Sequence, residues 1–251
     1  MNDKRLLMHQ MMTQLDDIRT NIGKQSEARQ TFLLKDRFTE SFYITGTTES
    51  IIDYNKLINK IDSSLLVINQ NKLSKNSPIS EKIVSITRNI HGQEVFFNRM
   101  VDSVKQLGMG SQGLIGALNL HKKELTTNNL IASTDLKKLD ELSTLYLLEK
   151  NEKAAIQFDS LARKLLFTYS NNPSAETILE EYRKTFVRIV KLERSIGNSN
   201  QDGLQNELVK QSKSNDEQLQ ATLKSINALY EEDVKRLEWI FYGLIAVTLI
   251  A

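Results

Sequence analysis

Apolar residues recur along this chain at alternating steps of three and four, the spacing that lays one stripe down a helix for a neighbouring helix to cover. The first segment carries Met8, Met11, Leu15, Ile18 and Ile22, then Phe32, Phe38 and Phe42. The second carries Ile51, Tyr54, Ile58, Ile61, Leu65 and Ile68. The third, opened by Pro78 and Ser80, carries Ile79, Ile83, Ile86, Ile90, Phe97, Val101 and Val104. Helix breakers separate them: Gly46 with Thr47 and Thr48, the stretch 71–78, and Gly108 to Gly113. From Leu114 to Tyr169 the pattern pauses only near Asn128 to Thr134. The expectation there is a nearly continuous helix of roughly 85 Å at about 1.5 Å per residue, ended by Asn171, Asn172 and Pro173. The ranges 174–196 and 204–237 supply two more helices, divided by Gly197 to Gly203.

These elements predict an all-α protein, elongated, of two stacked four-helix bundles made from six helices with two long ones shared. If the chain ends at a membrane, the direction of travel puts helices 49–72 and 79–107 in a distal bundle spanning about 26–132. Helices 174–196 and 204–237 then fall in a proximal bundle formed by 1–25 and 133–238. A single elongated bundle is the alternative.

Composition agrees and removes several functions. Only 2 Pro and 10 Gly interrupt 251 residues, and 40% hydrophobic with 25% charged residues is a globular balance. The 33 basic and 31 acidic residues are interspersed, so no basic stripe exists for a phosphate backbone and nucleic acid is not an expected partner. The absence of cysteine removes disulfides, thiolate chemistry and cysteine metal sites. His9, His91 and His121 are the only histidines, and none has a second ligand at helical metal spacing, although Glu124 follows His121 by one turn. No phosphate loop, serine elbow or paired carboxylates appear, so the expectation is no catalysis, no metal and no cofactor. Met8, Met11 and Met12 read as core packing.

From Trp239 to Ala251 no residue is charged. That run is shorter than the ~20 residues of a bilayer span, but Lys235 and Arg236 precede it and Trp239 and Tyr242 stand where an interfacial aromatic belt would. Residues 239–251 are therefore expected to begin a transmembrane helix, with a short buried terminal helix as the alternative. No apolar stretch of signal-peptide length occurs in Met1–Leu15.

Two stretches carry a family resemblance. The first is Leu107, Gly108, Met109, then Gly113, Leu114, Ile115, Gly116, Ala117 and Leu118, with His121 and Glu124 downstream. The second is Leu147, Leu148, Glu149, Lys150, Asn151, Glu152 and Lys153, with Asp159 downstream. Together with the helix plan they resemble the helical bimodular sensor domain of bacterial chemoreceptors and sensor histidine kinases. The chain departs from that pattern at Ile115 and Asn119, where the family tends to place arginines, and at Ala154 and Ala155, where it tends to place Asp and Phe. The resemblance implies a receptor for small organic molecules, commonly carboxylates, with a signal passed down helices to a cytoplasmic output.

A ligand site in a bundle replaces apolar residues with polar ones on the inward face at one height. In the last helix Gln211 and Asn215 interrupt the stripe between Leu208 and Leu219. Register counted from the expected module junction adds Arg19, Lys138, Arg188 and Glu193 as proximal candidates, since a buried carboxylate needs paired donors. Arg37, Arg88, Arg99 and Lys122 form a distal candidate set. The resulting expectation is the extracytoplasmic, ligand-binding sensor region of a bacterial transmembrane receptor. It would face the periplasm from the inner membrane, form a homodimer and serve signal transduction such as chemotaxis. A membrane-tethered structural or adaptor bundle that binds a protein partner is the alternative.

Overall fold

A computed structural model describes residues 2–71, 78–197 and 202–250, with side chains of the last helix described as far as Tyr242. Every regular element among the described residues is helical, as the periodicity predicts. In order they are α1 (Asn2–Leu34), a 3-10 turn (Asp36–Phe38), α2 (Glu40–Thr45), α3 (Glu49–Gln70), α4 (Pro78–Leu107) and α5 (Gly113–Thr127). Then follow α6 (Ser133–Glu149), α7 (Glu152–Thr168), α8 (Pro173–Ile196) and α9 (Gly203–Ile250). The expected breaks at 71–78 and 197–203 fall partly outside the described residues, as do the side chains of the expected membrane segment beyond Tyr242. No helix of the described residues is long and apolar enough to cross a membrane.

The chain divides into two compact units, and the division differs from the expected one. The first comprises residues 1–32, 49–95 and 209–251, so it is built from α1, α3, the first part of α4 and most of α9. Its helices alternate in direction. Lys4 meets Asp233 at 2.6 Å and Arg19 meets Asp216 at 3.0 Å, which sets α1 antiparallel to α9. Lys82 Nζ donates to the Ala221 carbonyl at 3.1 Å and Asn89 Nδ2 to Ser214 Oγ at 3.3 Å, which sets α4 antiparallel to α9. The Asn71 amide donates to the Leu7 carbonyl at 3.4 Å and brings the end of α3 to the start of α1. Helices 49–72 and 79–107 were expected in a bundle apart from residues 1–25. Instead the stripe Met8, Met11, Leu15, Ile18 and Ile22 shares this unit's core with Ile58, Ile61, Leu65 and Ile68 of α3 and Ile79, Ile83, Ile86 and Ile90 of α4. Each such fully buried side chain contributes about 1.5–3 kcal/mol of transfer free energy.

The second unit comprises residues 33–48 and 96–208. It corrects the largest expectation of the sequence reading, because Leu114 to Tyr169 is three helices and not one rod. The α6–α7 pair folds back: Tyr169 Oη, just past α7, accepts from the Ala132 amide at 2.9 Å and donates to Asp135 at 3.1 Å near the start of α6. Helix α8 reverses again against α7, held by Arg183 to Asp159 at 2.7 Å and by the pair Arg194 and Glu152. The aromatic centre is Phe158 against Tyr182 and Phe186, with Tyr146 edge-on to Phe186. The reversal between α6 and α7 needs no glycine or proline. Lys150 takes a left-handed conformation at φ 53°, and the Asn151 side chain accepts from the Ala154 amide at 3.1 Å to cap α7.

The glycines quoted for the family resemblance serve a turn. Gly108 lies at φ 75°, where a Cβ would stand 2.0 Å from the Gln112 carbonyl oxygen, and a Cβ on Gly116 would stand 2.1 Å from that of Ser111. Both positions demand glycine for the α4–α5 reversal itself.

Spin labels at the exposed positions Thr134 and Phe167 distinguish the folded-back pair from a rod. We expect a double electron–electron resonance distance on the order of 20 Å, a helix spacing of about 10 Å plus the label arms. A continuous helix would give roughly 50 Å.

Candidate functional site

The buried stripe of α1 does not stop at Ile22. Continuing by three and four it passes through Gln25 and Arg29 before Phe32, and these two are only 2% and 7% exposed. On α4 the stripe passes from Ile90 to Phe97 through buried Gln93, and α3 contributes buried Tyr54. On α9 half-buried Gln211 and fully buried Asn215 stand between Leu208 and Leu219. Four helices of one unit thus place polar side chains where their periodicity calls for apolar ones.

Pairing brings these residues to neighbouring heights. A Cβ on Gly92 would meet the Gln211 side-chain amide at 2.9 Å, so the neighbour of Gln93 abuts Gln211. Counting forward from Arg19 to Gln25 on α1, and back from Asp216 on α9, also arrives at Gln211 to within a residue. Tyr54 Oη donates to the Gln93 carbonyl at 3.3 Å, and the Arg29 guanidinium is close enough to interact electrostatically with that phenol. The layer reads Gln25, Tyr54, Gln93 and Gln211, with Arg29 a turn along α1 and Asn215 a turn along α9.

Its electrostatics are incomplete. No carboxylate among the described residues pairs with Arg29; burial pulls its guanidinium below the ordinary arginine value, and only Tyr54 opposes that shift. Burial likewise pushes the Tyr54 phenol up, with Arg29 acting the other way. Both amide atoms of Asn215, Nε2 of Gln25 and Oε1 of Gln211 and Gln218 are buried without a hydrogen-bond partner among the described residues. A buried group left unsatisfied costs about 1–3 kcal/mol, and a buried unpaired ion several kcal/mol. The layer has donors to receive a small anion: a guanidinium that can hold two oxygens, and primary amides, beside a phenol whose one hydrogen is already given to the Gln93 carbonyl.

The candidates named from sequence distribute differently. Gln211 and Asn215 lie in this layer. Arg19 is in the same unit but on its surface, paired with Asp216, while Lys138 and Arg188 are exposed in the other unit. Glu193 is buried in the second unit and is satisfied by Lys150 at 2.7 Å. Neither expected set survives as one cluster within a unit. Of the distal set, Arg88 is exposed in the first unit, whereas Arg37, Arg99 and Lys122 belong to the second. Arg37 lies over the Phe38 ring at 4.6 Å and Lys122 pairs with Asp140 at 2.5 Å. The heights assumed for these residues depended on the long helix 114–169, which the structure folds up.

Gln25, Arg29 and Gln93 are the residues that sequence reasoning missed, and the signal for them was the same broken stripe that gave Gln211 and Asn215. His121 sits 3.5 Å from Glu124, and no group of three or more potential metal ligands occurs among the described residues. No family model, curated protein or solved structure matches the chain.

Removing the polar atoms tests whether the layer is a cost to folding. Asn215→Leu and Arg29→Met are each expected to raise stability by about 1–3 kcal/mol, read as a higher urea midpoint at unchanged slope. Ile61→Ala, in the apolar part of the same core, lowers it by about 2–5 kcal/mol. A loss of stability in both polar variants would mean that the layer is a satisfied structural network.

Proposed function

We propose that this chain is the extracytoplasmic ligand-binding sensor region of a bacterial transmembrane receptor, a chemoreceptor or sensor histidine kinase, that detects a small organic carboxylate. The observation that carries the reading is Arg29, a buried cation in a helical seam with no carboxylate among the described residues to neutralise it. A protein keeps such a costly group where something else supplies the charge. A carboxylate bridged by the Arg29 guanidinium, with the unpartnered Gln25 amide completing its shell, would supply it.

Helix α9 links this layer to the exposed apolar end of the unit. It carries Gln211 and Asn215 in the layer and, further along, exposed Trp239, Ile240, Phe241 and Tyr242, which we read as the start of a membrane helix. Neutralising Arg29 favours whichever packing of α1 against α9 closes best around the ligand, so occupancy shifts a two-state equilibrium that α9 carries onward. In this reading the chain binds and transmits but catalyses nothing, it works in the inner membrane facing the periplasm, and a homodimer provides the two-fold axis for signalling. The reading rests on Arg29 and α9, not on the motif around Lys150, which forms the α6–α7 turn.

One feature favours the second reading, a membrane-tethered adaptor for a protein partner. Between α3 and α4 runs a groove of about 660 Å³ with Leu65, Leu66, Ile83 and Val84 as apolar walls and Arg88 and His91 at its rim.

A thermal-shift screen of mono- and dicarboxylates, amino acids and amines separates the two. A carboxylate present at a hundred times its Kd stabilises by about 2.7 kcal/mol, a rise of several degrees. Arg29→Gln is expected to abolish the shift, while Arg19→Ala and Arg188→Ala retain it. A library with no stabilising acid sinks the sensor reading, and a hit unaffected by Arg29→Gln moves the site elsewhere.

A further inference from the structure

Trp239, Ile240, Phe241 and Tyr242 are consecutive and 78%, 51%, 62% and 64% exposed. Successive helical residues point about 100° apart, so four of them cover the whole circumference. This segment of α9 is apolar on every side and largely exposed, with Ile240 alone of the four facing the cavity beside α1.

Beside it, Lys4 and Arg5 of α1 and Asp233, Arg236, Leu237 and Ile240 of α9 line a cavity of about 280 Å³. Three cations face one carboxylate, and that carboxylate is already engaged, since Lys4 holds Asp233 at 2.6 Å. Arg5 has no acidic partner among the described residues. Its guanidinium lies 5.8 Å from the Tyr230 ring centroid and its Nε is buried without a hydrogen bond. Arg236 likewise forms no ion pair among the described residues. Two guanidinium groups without an acidic partner among the described residues therefore line a cavity whose remaining wall, Leu237 and Ile240, is apolar and runs directly into the fully apolar segment.

We propose that this cavity seats the phosphate of an anionic phospholipid, with Arg5 and Arg236 as its donors and Leu237 and Ile240 against the first part of the acyl chains. Guanidinium matches a phosphodiester with two parallel hydrogen bonds. An amphipathic wall selects a lipid over a free phosphate, which has no use for the leucine and isoleucine. The inference rests on the reading that residues 239–242 enter a bilayer, and it adds which lipid the entry point prefers. It assigns Lys4 a supporting part: by neutralising Asp233, it removes the one carboxylate that would repel the headgroup.

The test is flotation of the full chain with vesicles of phosphatidylcholine alone and of equimolar phosphatidylcholine and phosphatidylglycerol. The chain is expected to partition into both, and more strongly into the anionic ones. Arg5→Gln with Arg236→Gln should reduce the anionic preference about twenty-five-fold, at roughly a factor of five for each charge near the surface, and lower partition into phosphatidylcholine, whose phosphate is balanced by choline, far less. Lys123→Gln with Lys164→Gln, which removes two exposed charges elsewhere, should keep the preference, and millimolar inorganic phosphate should not displace the chain. Equal partition into both vesicles, retention of the preference by the arginine double variant, or its loss in the lysine control overturns the headgroup seat while membrane entry stands. Displacement by inorganic phosphate would make the cavity a phosphate site instead. Failure to float with either vesicle would overturn membrane entry, and the seat with it.

Discussion

The Arg29 guanidinium occupies a helical seam that, apart from Gln25, holds methionine, leucine, isoleucine and phenylalanine, and burial destabilises its charge with no acid among the described residues to offset it. Polar groups of the first unit gather around that position. Tyr54 turns its hydroxyl to the Gln93 carbonyl beside it. Gln25, Gln211 and Asn215 stand at adjoining heights with polar atoms unspent. Below this level Ile18, Ile61, Ile86, Leu219 and Ile226 close the core in the ordinary way. An apolar core is cheap to form and indifferent to small solutes; a layer that leaves a cation and several amides unmatched is neither, and an anion of the right size changes its free energy more than that of any apolar layer.

Helix α9 gives such a change somewhere to go. Its side of the seam is pinned at intervals: Asp216 by Arg19, Ala221 and Ser225 by Lys82, Asp233 by Lys4. These contacts are long side chains reaching across a partly wet surface, individually worth about 1 kcal/mol or less. They keep α9 in register without locking it. A helix held by weak, spaced contacts on its flanks and by an unsatisfied layer at its centre can take up more than one packing within a few kcal/mol, and the proposed transmission uses that latitude.

The helices were legible because a period near three and a half survives substitution of any single residue, and α3, α4 and α8 lie close to where the pattern places them. The reversal at Lys150 was not. Its two devices are a lysine in left-handed conformation and an asparagine cap, both residues that also sit comfortably inside helices on paper, and the apolar stripe on either side continues as though nothing had happened. Losing that turn cost the reading its domain division and the heights of Lys138, Arg188 and Glu193. The phase of the stripe carried more information than charge did. Arg19 follows buried Ile18 and Arg188 precedes buried Ile189, so each points about 100° away from the core, whereas Gln25, Arg29 and Gln93 fall on the stripe itself.

The two units also differ in how they treat charge, which bears on the proposed ligand site. In the second, buried Glu193 is met by Lys150 and Arg183 is gripped by Asp159 and Glu180. The Asp159 and Glu180 carboxyls are held below their usual range. At Asp159 burial is the largest single effect and pushes up, and the hydrogen bonds and charges of Arg183 and Arg163 together outweigh it, while at Glu180 the Arg183 hydrogen bond leads. Those pairs satisfy each other, and an added anion would have to displace a carboxylate to gain a cation. Around Arg29 no such competitor stands in the way. The buried cation without a carboxylate among the described residues therefore lies in the unit that also contains the start of α1 and the exposed apolar stretch of α9, where the proposed carboxylate would meet no competitor.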